Sequence, residues 1–217
     1  MSQQFLALKG RFLPFFISTV LLSTIYPFFL HSKLGIILLH ILIIFALIAG
    51  INLIKFNRVI LLIGGTLGAI NIVLTLLSFT FETSWFIQFS WNLGLLSFYL
   101  LITGCLLILI TQSSEVTLDT ILGAVSGYFT LAIAWGMLFH LIEFLSPGSF
   151  ELPQGSVVRP DIFIYLSQIT MASVGYGEII PVTPLARSAT AILGMIGQLY
   201  LVVLLGILIG IYHNVVR

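Results

Sequence analysis

The residues whose types and spacing most clearly predict a chemical function form one short run, residues 173–178. Two glycines, Gly175 and Gly177, alternate in it with residues that carry side chains. Glycine adopts positive φ without steric cost, so this alternation lets successive carbonyl oxygens point to one side of the chain. A row of such oxygens can replace the water shell of a cation. The hydroxyl of Ser173 adds one more oxygen at the start of the run.

The segments around the run indicate how it is positioned. An apolar stretch of eleven residues, 162–172, precedes the run, and a long apolar stretch follows it. Crossing a bilayer core of about 30 Å takes about 20 residues, so the first stretch predicts a re-entrant helix. Irregular backbone at membrane depth is tolerated only where protein buries it or where it lines a watery cavity. The C-terminal end of the short helix would point its partial negative charge at that cavity, which stabilises a cation there.

The composition excludes most other classes of protein. Charged residues make up 7% of the 217 residues and apolar residues 59%, whereas soluble domains have about 25% charged residues. Disordered chains are rich in charge and poor in apolar residues, so disorder is excluded too. The net charge of +1 provides no basic surface for nucleic acid. The single cysteine, Cys105, excludes an intrachain disulfide and a cysteine-built metal site.

The remaining class is an all-α membrane protein. Charged residues separate six predicted transmembrane helices, residues 12–30, 34–54, 59–80, 92–111, 120–145 and 188–213. The re-entrant helix and the run lie between the fifth and the sixth. Lys and Arg in the short segments favour the inside by five to three when the N-terminus is inside. We therefore expect a multi-pass protein of the cell membrane, in contact with lipid, with both termini cytoplasmic.

The run and its surroundings resemble the pore of potassium channels, whose signature is Thr-Val-Gly-Tyr-Gly-Asp. Residues 181–187 and 196–201 are also similar to bacterial members, and the resemblance covers about residues 119–217. Ser173 stands where the family usually has Thr and keeps the hydroxyl, so we expect the inner ion site to be preserved. Glu178 stands in place of Asp, and Ile169 where some members have a buried Glu. These two departures concern the rigidity of the filter.

The resemblance implies a function and an assembly. It implies a selectivity filter that conducts potassium passively and needs no other cofactor. Because one chain carries one copy of the filter, a working pore would be a homotetramer, in agreement with the closed symmetry of most oligomers. No soluble partner is predicted. The residues expected to bind potassium are Ser173, Val174, Gly175 and Tyr176, and Gly177 completes the filter.

The resemblance also implies roles for three residues outside the oxygen row. Family members often brace the acid after the second glycine with an aromatic donor thirteen residues earlier, and here Glu178 has Tyr165 at that distance. The alternative is that Tyr165 only packs against a neighbour of the re-entrant helix. Gly197 lies where the family often has a hinge glycine in the inner helix. Close helix packing at Gly197 is an equally good interpretation.

Residues 1–114 are expected to form a four-helix membrane domain, and residues 115–217 the pore domain. The fourth predicted helix contains no Lys or Arg. Because a gating charge contributes about 2.3 kcal/mol per 100 mV, a helix without charges cannot act as a voltage sensor. Polar residues in the helices are expected to form interhelical hydrogen bonds; these residues are Asn52, Asn71 and Asn92.

Two further residues, His140 and Glu143, share one helix face because they are three apart. They are either polar residues at the membrane surface or a brace behind the filter, with Glu143 facing Arg187 or Arg159. One histidine and one acid do not make a metal site.

Other functional classes have less support. No nucleophile–base arrangement and no phosphate-binding loop is present, so we do not expect an enzyme. A nonconducting membrane scaffold or sensor subunit with a pore-like domain is one alternative, and a non-selective cation channel is another. The sequence does not indicate the stimulus that opens the pore.

Overall fold

The computed structural model describes residues 10, 12–24, 33–80 and 84–216. Within this part of the chain the helices are α1 (Phe12–Thr24), α2 (Lys33–Leu53), α3 (Arg58–Thr80), α4 (Trp85–Thr111), α5 (Leu118–Leu145), α6 (Pro160–Met171) and α7 (Pro184–Val216). A 3-10 turn, Ile54–Phe56, joins α2 to α3. Two short strands, β1 (Phe150–Glu151) and β2 (Ile180–Pro181), flank α6 in the chain.

Five of these helices, α2 to α5 and α7, are long and apolar enough to cross a membrane. This confirms an all-α membrane protein. The predicted first span is a helix of 13 residues in the described part of the chain, about 20 Å long, and residues 25–30 of that prediction lie outside the described residues. α6 has 12 residues and is too short to span a bilayer, as predicted.

Two predicted boundaries differ from those of the structure. α4 begins at Trp85 rather than at residue 92, because no charged residue or proline interrupts the chain between them. α7 begins at Pro184 rather than at residue 188. Proline is well tolerated in the first turn of a helix, where its missing N–H would have had no helical partner.

The start of α5 is fixed by a reciprocal cap. Thr117 accepts a hydrogen bond from the Thr120 backbone N–H at 3.2 Å, and its own N–H donates to the Thr120 hydroxyl at 3.4 Å. Such a pair satisfies two N–H groups that have no partner inside the helix. In the same turn, the Asp119 carboxylate accepts from the Gly10 N–H at 2.6 Å. Gly10 is therefore attached to the first turn of α5.

α5 is the helix that joins the two halves of the fold. One apolar cluster contains residues of α1, α2 and α4 together with Ile133, Ala134 and Met137 of α5. A second cluster contains other residues of α5 together with α6 and α7. In a membrane, such clusters stabilise the association of the helices through close van der Waals contact between their side chains. The orientation of the α6–α7 unit is thus set by α5.

Polar contacts between helices reinforce the same arrangement. His140 on α5 lies 2.6 Å from Asn92 on α4, measured between Nδ1 and Oδ1. The hydroxyl of Thr103 on α4 donates to that of Thr130 on α5 at 3.0 Å. The prediction of an interhelical hydrogen bond is therefore right for Asn92. Asn71 instead donates to the Leu67 carbonyl of its own helix at 2.8 Å.

Candidate ion-binding loop

The run begins as the C-terminal cap of α6. The Val174 N–H donates to the Ile169 carbonyl at 2.8 Å, and the Ser173 N–H donates to the Thr170 carbonyl at 3.0 Å. These are the two bonds of a Schellman motif, in which the residue after the cap adopts a left-handed conformation. Ser173 occupies that position with φ 57°. Serine is better suited to it than a β-branched residue, for which positive φ is a strong outlier.

The backbone of the run alternates in conformation. Ser173, Gly175 and Gly177 have φ values of 57°, 51° and 86°, whereas Val174 and Tyr176 between them do not have positive φ. The alternation predicted from the two glycines is therefore present, and it extends one residue further back to Ser173. This conformation is the one that lets a row of carbonyl oxygens face one side. The Tyr176 side chain is 73% exposed and that of Val174 is 49% exposed in the single chain.

Two residues of α7 contact the end of α6 and the start of the run, and a third contacts α5. A Cβ placed on Gly197 would lie 2.8 Å from Met171 Cα, so α7 approaches the end of α6 closely. The Gln198 amide donates to the Met171 carbonyl at 3.0 Å and to the Ser173 hydroxyl at 2.9 Å. The Tyr200 hydroxyl donates to the Ala124 carbonyl of α5 at 2.8 Å.

Comparison with known proteins identifies this part of the molecule. Residues 127–213, which run from α5 to near the end of α7, match a family model described as an ion channel. Over these residues the chain is similar to an ion-channel family. The resemblance to potassium-channel pore domains is thereby confirmed for this part of the chain. No curated protein and no solved structure matches the chain significantly.

The other end of the run in this pore domain is held by a side-chain contact. The Tyr165 hydroxyl of α6 donates to the Glu178 carboxylate. This hydrogen bond, with smaller contributions from burial and the nearby charge, raises the pKa of Tyr165 to about 12, because the carboxylate favours the phenol over the phenolate. The hydroxyl therefore remains a donor at physiological pH.

The first turn of α6 contains a buried carboxylate, Asp161. The Arg159 Nε lies 3.2 Å from an Asp161 carboxylate oxygen. Burial raises the pKa of Asp161, and the positive charge of Arg159 opposes that shift. Pro160 occupies the first position of α6, and Asp161 lies in its first turn. Both residue types are favourable at a helix N-terminus, so the start of α6 is well defined.

The structure corrects the interpretation of Glu143 and His140. Both are buried, so their side chains face other parts of the chain rather than its surface. The two Glu143 carboxylate oxygens accept from the Gly148 N–H at 2.8 Å and the Phe150 N–H at 2.9 Å. The prediction that Glu143 faces Arg187 or Arg159 is therefore wrong. Glu143 stabilises the loop after α5, because backbone N–H groups that turn back toward the helix satisfy its charge.

Sequence reasoning did not identify Gln198 and Tyr200 as important residues. Both occur in an apolar helix of the pore domain, where a polar side chain usually finds a hydrogen-bond partner on another element. An amide side chain in the middle of the apolar helix α7 is the sequence signal that indicates such a contact. Its partners could not be predicted, because Met171 and Ser173 lie 27 and 25 residues earlier in the chain.

Replacing Gly197 by alanine distinguishes close packing from a hinge. The added methyl group would overlap the backbone of Met171, with its carbonyl oxygen at 2.9 Å. Overpacking of this kind costs about 1–3 kcal/mol, which exceeds the gain of at most about 1 kcal/mol in helix propensity. We expect Gly197→Ala to lower the thermal unfolding midpoint of the purified protein.

The control for this variant is Gly104→Ala in α4, where no other atom lies within 4 Å of the added Cβ. It should leave the midpoint unchanged or raise it. An unchanged midpoint for Gly197→Ala, combined with an altered open probability, would favour the hinge instead.

Proposed function

We propose that this chain is the subunit of a potassium-selective channel. The observation that carries the proposal is the alternation of positive φ at Ser173, Gly175 and Gly177 within an ion-channel pore domain. Carbonyl oxygens in such a row replace the hydration shell of an ion, so the ion can shed water without a large penalty. The ligands would be Ser173 and the carbonyl groups of residues 173–176, and Gly177 would complete the filter.

The proposed pore is a homotetramer. One chain supplies one strand of oxygens, which can line only one side of an ion, and a closed ring requires several copies related by symmetry. Exposed apolar side chains of α7 and of the run are available for contact with neighbouring subunits in this arrangement. Among these are Met195, Leu199 and Val202, which are 60%, 61% and 68% exposed.

The proposal places the protein in the cell membrane with both termini in the cytoplasm. The filter then lies toward the outer side, and the end of α7 lies toward the cytoplasm. Residues 1–114 would surround the pore as a separate membrane domain, attached through α4 and α5. Flow through the pore would be passive, driven by the electrochemical gradient.

A bilayer recording with potassium on one side and sodium on the other tests the proposal. We expect a reversal potential that follows the potassium gradient and block by barium from the cytoplasmic side. Equal permeability for the two ions would identify a non-selective cation channel. Purified tetramers that carry no current under any of these conditions would favour the scaffold or sensor subunit.

The open probability is expected to change little with voltage. α4, the helix packed against α5 of the pore, contains no Lys or Arg. One elementary charge moving across 100 mV contributes about 2.3 kcal/mol, or about a fiftyfold change in an equilibrium. Single-channel recordings over roughly −100 to +100 mV should show a change far below that. A steep sigmoid conductance–voltage relation would contradict this prediction.

A further inference from the structure

We propose that Gln198 is a positioning residue for the innermost ion ligand, the hydroxyl of Ser173. The inference rests on the proposed function, because it assigns a role at the inner end of the same filter. It concerns a side chain on the inner helix, outside the oxygen row itself. The residue would act by fixing the direction in which the Ser173 oxygen presents its lone pairs.

The geometry of Gln198 uses both hydrogens of its amide. Nε2 lies 3.0 Å from the Met171 carbonyl oxygen and 2.9 Å from Ser173 Oγ. A carbonyl can only accept, so the group that faces Met171 is the NH₂ group and not the amide oxygen. One side chain thus joins the last carbonyl of α6 to the first side-chain oxygen of the run.

The neighbours of Gln198 fix the position of its side chain relative to α6 and α5. The close approach of Gly197 to Met171 sets the separation of α7 and α6. The hydrogen bond from the Tyr200 hydroxyl to the Ala124 carbonyl, at 2.8 Å, fixes the rotation of α7 against α5. The amide between them is therefore preorganised, and little entropy is lost when it binds Ser173.

The chemistry of a serine hydroxyl explains why such a residue is needed. The hydroxyl has one hydrogen and two lone pairs, and it rotates to suit its neighbours. A cation is stabilised by a lone pair and repelled by the hydrogen. Threonine, the usual residue of the resembling family at this position, is stiff at χ1 because of its β-branch. Serine lacks the β-branch, so its side chain rotates more freely. The Gln198 N–H restricts that rotation by donating to one lone pair of Ser173 Oγ.

A double-mutant cycle between Gln198 and Ser173 tests the inference. Gln198→Met keeps the length of the side chain and removes the donor, and Ser173→Ala removes the oxygen. The readout is the affinity of barium applied from the cytoplasmic side of bilayers that contain the full-length protein. We expect Gln198→Met to weaken block about tenfold with Ser173 present, and less than about twofold in the Ser173→Ala background.

The Met171 hydrogen bond is lost in both backgrounds, so a purely structural role would give equal effects in the two and would overturn the inference. Leu100→Met is the control at an exposed position of α4, outside the pore domain, and should leave block unchanged. If Gln198→Met does not assemble, Gln198→Asn replaces it in the same cycle, because the shorter amide cannot reach both partners. A wild-type protein that does not prefer potassium would contradict the proposed function itself, whereas additive effects in a potassium-selective protein contradict only the role of Gln198.

Discussion

Replacing Gly177 by alanine is expected to abolish potassium current without unfolding the protein. Gly177 has φ 86°, and a residue with a Cβ loses about 1–2 kcal/mol in the left-handed region. Four copies in the proposed tetramer would multiply that cost to about 4–8 kcal/mol, which shifts the conducting population by more than about a hundredfold. No other atom lies within 4 Å of the added Cβ in the chain, so the effect would come from the backbone.

A matched control separates backbone strain from loss of the filter. Gly155 has φ 80°, and its added Cβ also meets no atom within 4 Å, but it lies in the loop before α6. Gly155→Ala therefore introduces the same local strain outside the run. Potassium flux from liposomes should be lost in Gly177→Ala and retained in Gly155→Ala, with both proteins eluting as tetramers. Wild-type flux in Gly177→Ala would show that the alternating backbone is not the conducting element.

Replacing Tyr165 by phenylalanine is expected to speed the decay of current under steady opening by about ten- to a hundredfold. The variant removes the hydroxyl that donates to the Glu178 carboxylate. A hydrogen bond to a charged group contributes about 1.5–3 kcal/mol, which corresponds to that shift between a conducting and a collapsed filter. The preference for potassium should not change, because the oxygen row is untouched.

The measurement is the decay rate at constant potassium concentration. Tyr212→Phe is the control, since it removes the same hydroxyl from an exposed tyrosine at the far end of α7. Decay of Tyr165→Phe currents at the wild-type rate would leave Tyr165 with a packing role only.

The contact also has a defined alkaline limit. The pKa of Tyr165 is raised from 10.0 to about 12, so the stabilisation is complete below about pH 10 and is lost as pH rises through about 12. Current decay should therefore not accelerate through ionisation of Tyr165 between about pH 7 and pH 9.

The positive φ values at Gly175 and Gly177 could be predicted from sequence because glycine spacing is a local signal. The same conformation at Ser173 could not, because it depends on where α6 ends and on carbonyls of Ile169 and Thr170 that are free to accept. Helix ends are fixed by such capping bonds, and a run of apolar residues does not show them.

Longer-range contacts were harder to predict. Tyr200 reaches a carbonyl 76 residues away in sequence, and only the packing of α7 on α5 brings the two together. The partners of Glu143 are five and seven residues away, so they were within local reach. They were missed because a charged side chain was expected to pair with an opposite charge rather than with backbone N–H groups.

The pairing of β1 with β2 has a consequence for the order of folding and assembly. Phe150 lies opposite Pro181, and the Val182 N–H donates to the Ser149 carbonyl at 2.8 Å. Closing this loop costs conformational entropy, and the individual chain loses that entropy when it folds. In the proposed tetramer, each subunit would therefore meet its neighbours with both ends of the pore loop already joined by β1 and β2. Little further chain would then become ordered when the proposed tetramer forms. The free energy of subunit contact would therefore not be reduced by the entropy cost of ordering this loop.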